Sequence, residues 1–170
     1  QILDDVENQQ VEIDDSLREL RKDEKVAQEK IETFEFKLRN LKRYVEKQRL
    51  PGLPGDYLEF FFLVTDRVED LGKSLNRIRI NIEEVNKLVA ICEDELQMLD
   101  TRTKELVDAA ALTEQLMQYA NRYRHSNPEI KAAIQHGLVL FNDEYRYQDA
   151  LDTIATSLER VEPGAFERLE

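Results

Sequence analysis

The chain has 170 residues, of which 35% are charged and 41% hydrophobic, with 36 acidic side chains against 24 lysines and arginines. The formal charge of -12 means that the average surface repels phosphate backbones and anionic lipid headgroups, which argues against a nucleic-acid partner. Five glycines, four prolines and no tryptophan leave room for few turns and favour a largely helical chain.

Neither a signal peptide nor a membrane-spanning segment is recognisable. The longest apolar run, at 57–64, is interrupted by Glu59 and is shorter than the roughly 20 residues that a spanning helix needs. A single cysteine, Cys92, excludes an internal disulfide and fits a reducing cytoplasm. We predict a soluble chain. Helix-like sequence is already under way at Gln1 without an initiator methionine, which indicates a fragment of a longer protein.

The first predicted element is a long helix over about 1–49. Apolar residues recur there at alternating spacings of three and four, from Val6 through Ile13 and Leu17 to Val45, which is the seam of a coiled coil. The cluster of prolines and glycines at 51–55 ends the helix.

The second predicted element is a helix over about 56–124. Asp56 with Glu59 forms a predicted capping box, and an apolar seam that includes Ile78 then continues to Ala120 without a breaker. Such a helix would be roughly 100 Å long at 1.5 Å per residue. The short connection at 50–55 makes the two helices an antiparallel pair. Cys92 falls on the seam, which favours a buried small side chain over a nucleophile.

Two shorter helices are predicted after residue 126. Asn127 and Pro128 are typical of an N-cap and a first helical position. The helix that they open carries an apolar stripe of Ile130, Ile134, Leu138 and Phe141, widened by Ala133, Gly137 and Leu140. The last helix is predicted over about 145–162, with Pro163 and Gly164 as its stop.

These elements predict an all-α fold, an elongated antiparallel coiled-coil hairpin that continues into a small helical bundle. We place a two-helix stalk at 1–105 and a C-terminal bundle at 106–170, which share the long central helix. Helix–loop–helix units joined through continuous helices are typical of spectrin-like repeats.

Catalytic chemistry is not indicated. His125 and His136 lack the spacing of a zinc site, and the sequence has neither a glycine-rich phosphate loop nor a nucleophile elbow. We therefore predict no enzyme, no catalytic residue, no cofactor and no metal. The aromatic run at 60–62 leaves two interpretations open, packing against other protein or an exposed contact patch.

The segment 115–127 differs from the acidic remainder, because it contains arginines, tyrosines and amides but no carboxylate. Gln118, Asn121 and Arg122 are spaced i, i+3 and i+4, so they share a face of the last helical turn. Cations at a helix C-terminus complement the helix dipole, which is one explanation. Crowding of amides, arginine and tyrosine in one turn is also typical of a surface that binds a partner carboxylate.

The segment QYANRYR at 118–124 resembles the QNR patch of the septation ring formation regulators, the EzrA family of low-GC Gram-positive bacteria. KRYVEKQRLPGLP at 42–54 and YQDALDTIATSLERVEPGAF at 147–166 are also similar to the C-terminal region of that family. The resemblance implies a cell-division regulator that modulates assembly and placement of the FtsZ ring. It also implies a spectrin-like scaffold that links the membrane to FtsZ and to wall-synthesis proteins.

By the same resemblance, the full-length protein is implied to lie at the cytoplasmic face of the cell membrane at the division septum. Its only membrane contact would be an N-terminal anchor that this chain lacks. Self-association of the chain is a further interpretation, which the sequence leaves open. Carried over by position, the partner-binding residues are Gln118, Asn121, Arg122 and Arg124, flanked by Tyr119 and Tyr123. The alternative is a helical peptide-binding module unrelated to division, with a groove between the last two helices near Ala150, Ala155 and 161–163.

Overall fold

The computed structural model describes residues 2–77 and 80–169, with side chains from residue 6 onward. Within these ranges every regular element is helical, which confirms the predicted all-α class. A 3-10 turn spans Asn121–Tyr123. The helices are α1 (Ile2–Lys47), α2 (Gly55–Leu75), α3 (Ile82–Ala120), α4 (Pro128–Asn142), α5 (Tyr147–Val161) and α6 (Ala165–Leu169). Among the described residues, no helix combines the length and the apolarity needed to cross a membrane.

The prediction of one uninterrupted helix over about 56–124 is wrong. α2 ends at Leu75 and α3 begins at Ile82. Asn81 Oδ1 accepts a hydrogen bond from the Glu84 backbone N–H at 3.3 Å, so this asparagine caps a new helix. The apolar spacing on either side of the break stays in register, which is why the pattern did not reveal it. Ile78 lies outside the described residues, and its seam position stays a prediction.

The chain forms two compact units, Gln1–Asn40 with Phe62–Met98, and Leu41–Phe61 with Leu99–Glu170. α1, α2 and α3 each contribute to both. The predicted boundary between a stalk and a bundle at residue 105 stays a prediction. The bounds of the two compact units differ from it, since the 50–55 connection belongs to the second unit.

In the first unit, α3 folds back on α2. Arg67 on α2 and Glu95 on α3 form an ion pair of 3.0 Å, whereas one continuous helix would hold these residues roughly 40 Å apart. Lys30 on α1 pairs with Glu93 on α3 at 3.0 Å. Three helical segments therefore pack here, where the sequence predicted two. The buried side chains confirm the seam spacing: Ala27, Ile31, Phe34, Leu38, Val64, Val68, Leu71, Val85, Val89, Cys92 and Leu96.

The seam predicted for the first half of α1 is not buried. Val6, Ile13 and Leu17 are 56%, 54% and 47% exposed. The prediction required a long second helix to cover them. Because the chain reverses after α2, which has 21 residues against the 46 of α1, that cover is absent from the described part of the chain.

In the second unit the last helices share one core with the end of α3. The buried members are Leu116, Ala120, Ile130, Ile134, Leu151, Ile154, Leu158 and Ala165. The predicted start of α4 is confirmed, since the Asn127 side chain accepts from the Ile130 N–H and Pro128 follows. α5 ends before Pro163 and Gly164 as predicted, and the short α6 was not foreseen.

One predicted core residue of α4 is exposed. Leu138 is 41% accessible, whereas Ala133, Gly137 and Leu140 are buried, so the contact face of α4 lies further round the helix than predicted. The reason is Gly137, where α4 and α5 approach so closely that an added Cβ would lie 2.7 Å from Ile154 Cδ1.

The same packing overturns the groove proposed between the last two helices. Ala150 is fully buried, and Ala155 and Val161 pack against the core. With Ile154 in contact distance of Gly137, no space for a peptide remains at this point. Of the residues assigned to the groove, Ala150, Ala155 and Val161 pack in the cores of the second unit instead.

Candidate partner-binding site

The candidate site lies where α3 ends in the second unit. Leu116 and Ala120 are fully buried, and they fix the last turn of α3 on the core. Gln118 lies on the exposed side of this turn, and Asn121 and Arg122 begin the 3-10 turn that continues it. The 3-10 turn is closed by a hydrogen bond of 3.1 Å from the Arg124 N–H to the Asn121 carbonyl. In this segment, buried residues that pack on the core thus alternate with polar residues that face solvent.

The four polar residues predicted to bind a partner are all exposed. These are Gln118, Asn121, Arg122 and Arg124, and His125 beside them is exposed too. Among the described residues, the ion pairs of the protein include neither Arg122 nor Arg124. Two guanidinium groups are therefore available for charge-assisted, bidentate hydrogen bonds to a carboxylate.

The two tyrosines predicted to flank the site are half-buried and bonded within the chain. The Tyr119 hydroxyl donates to Glu162 Oε2 at 2.5 Å, and the Tyr123 hydroxyl donates to the same oxygen at 3.1 Å. Arg168 donates to Glu162 Oε1 at 2.9 Å. One carboxylate just after α5 therefore accepts hydrogen bonds from three side chains, two of which belong to the candidate site.

These contacts determine the ionisation of the groups. The hydrogen bond from Tyr119 is the main reason that the pKa of Glu162 lies below its usual value. The same bond is the main cause of the raised pKa of Tyr119, whereas burial is the main cause for Tyr123. At neutral pH Glu162 is therefore a carboxylate and both tyrosines are neutral donors.

Tyr119 also supports Arg122. The Arg122 guanidinium carbon lies 3.8 Å from the centroid of the Tyr119 ring, which is a cation–π contact. The ring is held by the backbone of α3 at one end and by Glu162 at the other. Arg122 thus has a supported position although its side chain is exposed.

Sequence reasoning missed Glu162 and Arg168. Tyr119 and Glu162 are 43 positions apart, and no local spacing relates them. Only the packing of α5 and α6 against the end of α3 brings them together. Glu162 was visible in the sequence as the residue before the Pro163 and Gly164 stop, but nothing in that position indicated a role at the site.

Two other sequence features, Cys92 and the aromatic run at 60–62, are candidates for a functional role. Cys92 is 1% exposed, as predicted, and burial followed by the nearby Glu95 charge raises the pKa of its thiol to about 11. It is therefore a protonated core side chain. In the aromatic run, the Arg102 guanidinium carbon lies 4.6 Å from the centroid of the Phe60 ring, and Phe62 is 59% exposed.

Fold and site together define an all-α protein of packed coiled-coil helices that carries an exposed, arginine- and amide-rich helix end. The family model of the septation ring formation regulator EzrA matches residues 1–170. The chain belongs to the EzrA family.

Similar proteins of known family support this membership. The septation ring formation regulator EzrA of Enterococcus faecalis is 66% identical over 169 residues, or 99% of this chain. Those of Lactococcus lactis subsp. cremoris and Streptococcus sanguinis are 47% and 39% identical over 98% of the chain. The chain spans 29% of the length of each of these relatives. No solved structure matches it.

Proposed function

We propose that this chain is part of a cell-division regulator and that the end of α3 is its docking surface for FtsZ. Membership of a family of septation ring formation regulators supports a role in division. The observation that carries the proposed site is that Arg122 and Arg124 are exposed and without an ion-pair partner among the described residues. The proposed partner-binding residues remain Gln118, Tyr119, Asn121, Arg122, Tyr123 and Arg124.

Each side chain has a proposed task. The arginines bind a carboxylate of the partner, and Gln118 and Asn121 add neutral hydrogen bonds on the same helical turn. Tyr119 and Tyr123 offer ring surface, because their hydroxyls are already engaged by Glu162. Since the surface is exposed and charged, affinity is modest and falls with ionic strength.

In the full-length protein, we propose that such helical units form a spectrin-like scaffold at the cytoplasmic face of the membrane. The scaffold modulates assembly and placement of the FtsZ ring and links it to wall-synthesis proteins. The proposed membrane contact is an N-terminal anchor of the full-length protein. The role is binding and spacing rather than catalysis.

The test is binding of purified FtsZ to this chain and to a triple variant, Gln118→Ala, Asn121→Ala, Arg122→Glu. We expect the Kd to rise about 10- to 100-fold at low salt, which corresponds to the loss of one or more charge-assisted hydrogen bonds. The difference should shrink as salt is added. Biolayer interferometry at two ionic strengths measures both effects.

A matched control is Gln28→Ala, Asn40→Ala, Arg43→Glu, which makes the same chemical changes at exposed positions of α1. Circular dichroism verifies that both variants are folded. Equal binding by the two variants and the unchanged chain would show that FtsZ does not dock on this surface.

A further inference from the structure

A carboxylate that the sequence did not single out lies beneath the candidate site. Glu162 accepts from Tyr119 and Tyr123 through one oxygen and from Arg168 through the other. It is the C-cap residue directly after α5, and its own backbone N–H donates to the Leu158 carbonyl at 2.8 Å. A single side chain therefore joins the end of α3, the end of α5 and α6.

The backbone after Glu162 is itself fixed. Both oxygens of Glu159 are occupied, one by the Gly164 N–H at 2.8 Å and one by the Phe166 N–H at 3.0 Å. Gly164 has a φ of +84°, a conformation that glycine adopts without strain. Ala165 is buried in the same core as Leu116 and Ala120. The turn that carries Glu162 is thus anchored to the helix that carries the site.

The consequence for Arg122 follows from the Tyr119 ring. A free arginine samples many rotamers and loses that freedom on binding, which weakens binding by up to about tenfold for one immobilised side chain. Here the guanidinium rests 3.8 Å from a ring whose far end is tied to Glu162. The ring can hold Arg122 only while its own orientation is fixed.

We propose that Glu162 is a positioning residue for the partner-binding surface, which holds the Tyr119 ring under Arg122 so that the guanidinium is presented in one orientation. This inference rests on the proposed docking function of the α3 end. Glu162 need not touch the partner. The docking surface is then built from two parts of the chain, the end of α3 and the turn between α5 and α6.

Two substitutions separate positioning from charge. Glu162→Asp keeps the negative charge but is one methylene too short to reach the tyrosines. Glu162→Gln keeps the length and an accepting oxygen but removes the charge. We expect Glu162→Asp to weaken FtsZ binding about three- to tenfold, the range expected when one long side chain is freed before binding. Glu162→Gln should weaken it less. Glu167→Gln, at an exposed position of α6, is the control.

A second measurement does not need a partner. In the unchanged chain the Arg122 Nε–H signal should be shifted by the Tyr119 ring current, and Tyr119→Phe and Tyr123→Phe assign the tyrosine signals. We expect Glu162→Asp to move the Arg122 signal toward its free position and to lower the pKa of both tyrosines toward the ordinary value of about 10. Tyr119→Phe, which removes one hydroxyl only, should shift the Arg122 signal in the same direction.

The outcomes are distinguishable. If FtsZ binds none of the proteins, the proposed function fails, and the Arg122 signal alone decides the positioning role. If Glu162→Asp behaves as the unchanged chain while Glu162→Gln does not, charge rather than position matters and the inference is overturned. It is also overturned if the Arg122 signal is the same in all folded variants. If Glu162→Asp fails to fold, the Arg122 signal of Tyr119→Phe decides whether the tyrosine hydroxyl positions Arg122.

Discussion

Replacing Leu116 by alanine should lower the free energy of unfolding by about 2–5 kcal/mol. Leu116 is fully buried on α3, among side chains of α4, α5 and α6. The change removes three carbon atoms from a close-packed core, so stability falls by the lost transfer free energy and by the cavity left behind. Urea unfolding followed by circular dichroism measures the difference.

The matched control is Leu138→Ala on α4. The sequence placed Leu138 in the core, whereas the structure leaves it 41% exposed. Its truncation should therefore cost less than about 1 kcal/mol, since surface substitutions usually change stability by about 0.5 kcal/mol or less. An equal loss for both variants would mean that the face of α4 is packed as the sequence pattern predicted and not as the structure has it.

Replacing Arg67 by methionine should destabilise the chain by about 1–3 kcal/mol at neutral pH. Arg67 pairs with Glu95 Oε1 at 3.0 Å, and the Glu95 side chain is only 15% exposed. The other oxygen, Oε2, is buried and has no hydrogen-bond partner in the described part of the chain. Without Arg67, the Glu95 carboxylate is left without its cation in a poorly solvated place. The expected loss of stability is smaller than for a fully buried ion pair, because Arg67 itself is 43% exposed.

The effect should depend on pH in a defined direction. Burial raises the pKa of Glu95 in the folded state, and Arg67 opposes that rise. A raised acid pKa means that ionisation disfavours the folded state, and this penalty is absent where the unfolded chain is also protonated, below about pH 4. Removing Arg67 enlarges the penalty. The destabilisation by Arg67→Met should therefore be small near pH 4 and grow as the pH rises.

Two comparisons check the cause. Lys30→Met breaks an ion pair of the same length, 3.0 Å, between side chains that are 45% and 48% exposed, and should cost about 0.5 kcal/mol or less. Adding Glu95→Gln to Arg67→Met should restore most of the lost stability. A loss that is the same at pH 4 and pH 7 would argue that Arg67 acts through the packing of its carbon chain and not through the charge of Glu95.

The helix dipole and partner binding are compatible explanations of the arginines at the end of α3. Cations near the last carbonyls stabilise a helix by a few tenths of a kcal/mol to about 1 kcal/mol, and Arg122 and Arg124 are placed to do so. That effect does not require the Tyr119 ring beneath Arg122 or the bonds from Tyr119 and Tyr123 to Glu162. The additional contacts fix side chains rather than the helix, which is why we connect them with recognition.

The sequence by itself determined the local features of this protein. The apolar period and the low glycine and proline content predicted the all-α class. The end of α1 and the start of α4 were also predictable, because proline, glycine and an asparagine cap act on the backbone next to them. The buried positions of α1 from Ala27 onward follow from the heptad spacing. The exposed face with Gln118, Asn121 and Arg122 could be predicted because helical spacing alone puts residues three and four apart on one side.

Only the tertiary structure decided which surfaces meet. The reversal between α2 and α3 leaves the apolar period unchanged, so the same pattern fits both a three-helix packing and a two-helix hairpin. The two arrangements differ in whether a second helix covers Ile13, which is exposed here. The close approach at Gly137 rotates the contact face of α4 and exposes Leu138. Glu162 reaches Tyr119 across 43 positions. Contacts of this kind depend on how helices dock, and periodicity fixes the face that a helix buries but not the neighbour that buries it.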